Sequence, residues 1–125
     1  MTAAPDSNGS LRRLTKRAQF LNAAKGVRAG RSAFSLQAIA SDQPHPGIGL
    51  TVTKKVGNAP QRNRIKRRLR AAARACAAQF QPQHDYVLVG RREALGESFD
   101  KLVHDLSTSI VKVHASRAES PRKPK

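Results

Sequence analysis

Between Pro60 and Gln79 the sequence sorts its apolar and its cationic residues onto two sides of one helix, and that sorting constrains the fold more than any other segment. Ile65, Leu69, Ala72, Ala73 and Cys76 recur at helical spacing. Projected at about 100° per residue, they fall in a single stripe. Asn63, Lys66, Arg67, Arg70 and Arg74 make a contiguous opposite face, with Arg64 and Arg68 beside it. Pro60 suits the first turn, where its missing N–H has no partner to lose. The stripe must lie on another element, so the rest of the chain has to supply a surface for it.

The remaining pattern supplies strands. Ser32–Ala40 alternates, with Phe34, Leu36, Ala38 and Ala40 toward the core and Ser35 and Gln37 outward. Ile48–Lys54 places Ile48, Leu50 and Val52 on one face, and DYVLVG at Asp85–Gly90 reads as a further strand. Val27–Arg31 has room for one more. A first helix fits Thr15–Lys25, N-capped by Thr15, ended by a left-handed Gly26, with Leu14, Ala18 and Leu21 inward. A last helix fits Leu95–Val113, with Phe99, Val103, Leu106, Ile110 and Val113 buried. The order is α-β-β-(β)-α-β-α, which implies a layered α/β (α+β) domain with a small mixed sheet packed by helices. The ordered domain is expected over residues 11–115. A small, polar segment at 1–10 and the Pro-interrupted basic SRAESPRKPK at 116–125 are expected to be disordered tails.

Charge narrows the function. The net charge is +16 in 125 residues, and it is uneven. Residues 1–84 hold 16 Lys/Arg against Asp6 and Asp42, whereas residues 85–125 hold 8 against six acids. No acid lies between Asp42 and Asp85, so nothing local neutralises the six Lys/Arg of residues 62–70. Like charges at i,i+3 and i,i+4 repel. A phosphate backbone relieves that repulsion and releases counterions, and arginine offers planar paired donors to phosphate. The helix N-terminus adds its own N–H groups. A polyanion is the implied partner, although ribosomal proteins, DNA-binding helices and nuclear import signals also carry basic runs.

Other chemistries find little support. His45, His84, His104 and His114 lack metal-ligand spacing, and no GxxxxGK[ST], GxSxG or HExxH occurs. Glu97, Asp100 and Asp105 read as a solvated helix face. Cys76 is the sole cysteine, which excludes an intramolecular disulfide and fits a reducing cytoplasm; on the apolar stripe it reads as an inert buried thiol. No apolar run approaches the ~20 residues of a membrane span, and MTAAPDSNGSLRR lacks a secretory apolar stretch. A cytoplasmic location and no membrane partner are expected.

The strand and helix motifs sharpen this reading when taken together. Gly49-Leu50-Thr51-Val52-Thr53-Lys54-Lys55-Val56-Gly57-Asn58-Ala59 leads directly into Arg62-Asn63-Arg64-Ile65-Lys66-Arg67. This resembles the protein component of bacterial ribonuclease P, whose signature joins a Gly-Leu-x-Val-x-Lys-Lys strand to an Arg-Asn-Arg-x-Lys-Arg helix. The resemblance covers about Leu11–Val113. It implies a two-layer α/β sandwich with a left-handed crossover helix, where chain sense alone predicts a right-handed one.

It also implies a function and a set of partners. The chain would bind ribonuclease P catalytic RNA and the 5′ leader of precursor tRNA, with no protein partner required. Hydrolysis of the phosphodiester, leaving a 5′-phosphate on mature tRNA, would fall to the RNA and to Mg²⁺ held mainly by RNA and substrate. The protein would then carry neither catalytic residue nor metal ligand. Lys54, Lys55, Arg62, Asn63, Arg64, Lys66, Arg67, Arg68 and Arg70 fall on the implied RNA-binding motif. Phe20 falls on a leader-cleft aromatic that could stack on an unpaired base; by composition it could equally be core. The family's further aromatics are replaced by Ala24 and Gln37, so leader contacts would lean on phosphates and on Ser35 and Gln37. Two other functions stay open on the residues alone: a structural RNA-binding protein of ribosomal type and a self-contained nuclease.

Overall fold

The computed structural model describes residues 11–119. Its elements, in chain order, are β1 (Arg12–Arg13), α1 (Arg17–Ala24), β2 (Val27–Gly30), β3 (Phe34–Ala40), β4 (Gly47–Thr51), α2 (Ala59–Ala75), β5 (His84–Gly90) and α3 (Phe99–Glu119). Short 3-10 turns occupy Lys54–Val56, Ala77–Gln79 and Arg92–Leu95. The five strands form one mixed sheet in the order β1-β4-β5-β3-β2. β3 is antiparallel to β2 and β5, while β4 is parallel to β1 and β5. The parallel β4–β5 pair is joined through α2, so the basic helix is the crossover. β2 confirms the strand expected near Val27–Arg31. β1 lay outside the sequence reading: two residues give no periodicity, and Leu14 N–H to Ile48 O (2.9 Å) and Arg12 N–H to Pro46 O (2.7 Å) define it only in the fold.

The main core lies between the sheet and the two long helices. Leu36 and Ala38 of β3 and Tyr86 and Leu88 of β5 meet Ile65, Leu69, Ala72, Ala73 and Cys76 of the α2 segment. Leu102, Leu106, Ile110 and Val113 of α3 complete it. The opposite sheet face is covered too. α1 packs there, with Leu14, Ala23 and Val87 buried and Phe20, Ile39 and Val89 partly buried. Ser35 and Gln37 do point away from the main core, but onto this second one; they are 6% and 9% exposed rather than outward-facing.

Several local expectations give way to tertiary packing. Lys16, not Thr15, occupies the cap position of α1, because the Gln19 side-chain oxygen accepts from both Thr15 N–H (3.0 Å) and Lys16 N–H (2.9 Å). Ala18 and Leu21 face solvent, and Ala23 supplies the buried contact instead. Gly26 does not adopt a left-handed conformation. It is required for closeness: a Cβ there would lie on the Ala38 carbonyl, 2.8 Å from its carbon. α2 breaks at Cys76 into a 3-10 turn rather than reaching Gln79 as α-helix. α3 starts at Phe99, after the Arg92–Leu95 turn, with Lys101 N–H on the Ser98 hydroxyl (3.2 Å). Phe99 is therefore on the exposed side, 41% accessible, and Leu102 takes the core position. α3 runs to Glu119, past Ala115; residues 1–10 and 120–125 lie outside the described residues. Asp105 is not solvated: it is buried and paired with Lys101 at 3.0 Å.

Candidate nucleic-acid interface

The site is built by the capping of α2. The Asn58 side chain accepts from Gln61 N–H (2.9 Å), and the Gln61 side chain accepts from Asn58 N–H (3.0 Å), a reciprocal capping box. Gly57 precedes it because a Cβ there would collide with the Gln61 side chain. Arg62 reaches back to the Gly57 carbonyl (2.7 Å). With the start fixed and Ile65, Leu69, Ala72 and Ala73 buried, the rotation of the helix is fixed as well. Asn63, Arg64 and Arg67 are then exposed, and Lys66 and Arg70 half-buried.

Among the described residues, the side chains of Arg64, Lys66, Arg67, Arg70 and Arg74 make no hydrogen bond or ion pair within the chain. Asn63, Lys66, Arg67 and Arg70 line a shallow concavity of about 570 Å³ with Pro60. Lys66 and Arg70 also border a second cavity of about 410 Å³, at the β1–β4 edge, together with Arg13, Phe20, Gly49 and Arg74. Burial lowers the Arg70 pKa from its ordinary value, and the neighbouring charges of Arg13 and Arg74 lower it further. Three guanidiniums crowded without a carboxylate form a surface complementary to an anion.

The other sequence-derived candidates are distributed around this face. Lys54 and Lys55 are exposed on the 3-10 turn just before α2. Phe20 is partly buried and stands between the α1-side core and open space. It packs with the α1-side core, close enough to Gly49 that a Cβ there would come within 2.7 Å of the ring, and it also walls the 410 Å³ cavity. Ser35 and Gln37 share its sheet face but are closed over, and the Ser35 hydroxyl is buried with no hydrogen-bond partner among the described residues. Arg68 is placed differently from its neighbours. Its guanidinium donates to the carbonyls of Ala94 (2.9 Å) and Glu97, tying α2 to the loop after β5.

Sequence reasoning missed Arg13, since two residues of strand carry no period that would place it beside Arg70. Arg12, next to it, is paired with Asp85. The histidines are less scattered than their spacing suggests. His84 and His114 stack edge-on at 4.7 Å, and the Tyr86 hydroxyl, hydrogen-bonded to His114 (2.6 Å), accepts from Gln81 N–H (2.9 Å). Cys76 is buried, and burial pushes its thiol pKa up. Among the described residues, no three His, Cys, Asp or Glu side chains come together as a metal site, and no helix is long and apolar enough to cross a membrane.

Comparison with known proteins agrees with the geometry. The family model for ribonuclease P matches residues 10–114. The ribonuclease P protein component of Ruegeria pomeroyi is 42% identical over 109 residues, covering 83% of this chain and 87% of that protein. That of Gluconacetobacter diazotrophicus is 44% identical over 111 residues, covering 86% and 95%. Among solved structures, the RNase P protein of Staphylococcus aureus aligns with a TM-score of 0.68 at 27% identity, covering 81% of this chain and 95% of that one. The RNase P protein of Thermotoga maritima aligns with a TM-score of 0.68 at 25% identity, covering 77% and 92%. Sequence match, sheet topology and the Lys54–Arg70 motif converge on one assignment: the chain belongs to the ribonuclease P protein family.

Proposed function

We propose that this chain binds the catalytic RNA of ribonuclease P and the 5′ leader of precursor tRNA, and so supports 5′ maturation of tRNA in the cytoplasm. The observation that carries the proposal is the outer face of α2, where Asn63, Arg64, Lys66, Arg67 and Arg70 stand beside no carboxylate and, among the described residues, the cations have no partner in the chain. Phosphates fit that face by charge and by paired donor geometry. The 410 Å³ cavity, lined by Phe20 together with Arg13, Arg70 and Arg74, suits a single strand that offers a base to the ring and phosphates to the arginines.

Hydrolysis belongs, in this proposal, to the RNA and to Mg²⁺ held by RNA and substrate phosphates. The chain's donor set does not fit a Mg²⁺ site of its own, since the basic face offers cations and one amide where Mg²⁺ takes oxygen ligands. The protein's part is to neutralise phosphate repulsion where leader and catalytic RNA meet, which raises the affinity of both the strand and its metal ions. The test is precursor tRNA cleavage by the cognate RNA alone, the chain alone, and the two together. Cleavage at lower Mg²⁺ with both than with RNA alone, and none with the chain alone, is the expected result. Cleavage by the chain alone would establish a self-contained nuclease instead.

A further inference from the structure

The turn that presents Lys54 and Lys55 has little of its own to hold it. Val56 rests partly buried against the main core, but no residue of the turn is fully buried and the Thr53 side chain makes no cap for it. Within the turn one backbone bond forms, Val56 N–H to Thr53 O (3.1 Å). Two adjacent exposed lysines repel each other, so an untethered turn of this composition would sample many arrangements. Two arginines from elsewhere close it. Arg62 of α2 donates to Gly57 O (2.7 Å), and Arg92 donates to Val56 O (3.0 Å).

Arg92 acts from a seated platform. It opens the Arg92–Leu95 turn, whose Ala94 is fully buried and whose carbonyl accepts from Arg68. Arg68 also holds Glu97 O just beyond. The bonds therefore form a ring: from α2 through Arg68 to the 92–97 loop, through Arg92 to the lysine turn, and through Arg62 back to α2. Its geometric effect is to fix the backbone under Lys54 and Lys55 relative to Arg64 and Arg67.

We infer that Arg92 is a positioning residue for the RNA interface, holding the Lys54–Lys55 turn in register with the basic face of α2. Nothing in the local sequence marks it, since it lies 22 positions beyond Arg70 in the segment richest in acids. The inference rests on reading Lys54 and Lys55 as RNA contacts. A direct contact between Arg92 and RNA would be a different role, and the two are separable by coupling.

The test measures binding of the full chain to the cognate ribonuclease P RNA across a salt series. The variants are Arg92→Ala, Arg92→Lys, Lys54→Ala/Lys55→Ala and the triple Lys54→Ala/Lys55→Ala/Arg92→Ala, each checked for an unchanged thermal midpoint. Arg92→Ala should weaken binding about 5- to 10-fold, the scale of ordering one or two long side chains at an interface. Arg92→Lys, which keeps one donor for Val56 O, should recover most of that loss. In the Lys54→Ala/Lys55→Ala background Arg92→Ala should change nothing further. Full additivity, with a further drop of about one unit in salt slope, would overturn positioning in favour of direct contact. No effect of Arg92→Ala while the lysine pair matters would overturn it as well. If Lys54→Ala/Lys55→Ala itself binds like the parent chain, the RNA reading of the turn fails, and the inference falls with it.

Discussion

Arg67 and Arg68 are adjacent in the sequence, share one chemistry, and should fail in opposite ways when truncated. Arg67 is exposed and, among the described residues, has no partner in the chain. Arg67→Ala should leave stability within about 0.5 kcal/mol. It should also flatten the dependence of log K on log salt by about 0.7–0.9, the share of one phosphate contact. Arg68 supplies donors to Ala94 O and Glu97 O, and Ala94 is fully buried. Hydrogen bonds from a charged donor are worth about 1.5–3 kcal/mol each. Arg68 is half-exposed, so water can satisfy part of what its loss leaves bare. Arg68→Ala should therefore cost about 2–3 kcal/mol in all, lowering the urea midpoint by about 1–1.5 M for a slope of about 2 kcal/mol/M. Its salt slope, measured on the folded protein, should match the parent. Urea denaturation followed by circular dichroism, and RNA binding from low to moderate salt, give both numbers. A stable Arg68→Ala protein that loses a full unit of slope would refute the assignment of its donors to the 92–97 loop.

Leu69→Ala should destabilise the fold by about 2–5 kcal/mol, since Leu69 is fully buried between α2 and the sheet; a stable variant with lost RNA binding would mean the helix faces are reversed. Gly26→Ala should cost about 1–3 kcal/mol by overpacking, because the obstacle is the Ala38 backbone, which cannot rotate away; an unchanged thermal midpoint would show that α1 is not seated that closely. The Cys76 thiol, buried and with its pKa raised, should react with iodoacetamide roughly 100-fold more slowly in the native protein than in urea; equal rates would place it at the surface.

The parts of the fold that announce themselves in sequence are those whose burial follows one period. The α2 stripe is of this kind, and Ile65, Leu69, Ala72, Ala73 and Cys76 all lie in the core as the 3.6-residue spacing requires. β3 was half legible. Alternation correctly separated Phe34 and Leu36 from Ser35 and Gln37, but it cannot say whether the second face meets water or another helix, and here α1 covers it. Positions set by long-range contacts were not legible. Gly26 reads locally as a helix stop, whereas its role depends on Ala38, twelve residues on. Phe99 looks like the start of the α3 stripe, but the chain is still turning out of the Arg92–Leu95 segment there, so the stripe begins at Leu102. The site shows the same divide. The motif located Lys54–Arg70 as a unit, and capping by Asn58 explains why it is a helix from its first turn. Composition counts every arginine as one charge. Only the fold distinguishes Arg64 and Arg67, directed outward, from Arg62, Arg68 and Arg92, which hold backbone carbonyls.

The central claim is that the partnerless cations of α2 are where this chain meets RNA. The most direct measurement is the salt dependence of binding to the cognate ribonuclease P RNA for the parent chain and for Arg64→Ala/Lys66→Ala/Arg67→Ala/Arg70→Ala, at a folded fraction confirmed by circular dichroism. Four lost phosphate contacts predict a slope lower by about 3–4 units, with affinity falling most at low salt. A quadruple variant that stays folded and keeps the parent slope within one unit would contradict the account and place the RNA on another face of the molecule.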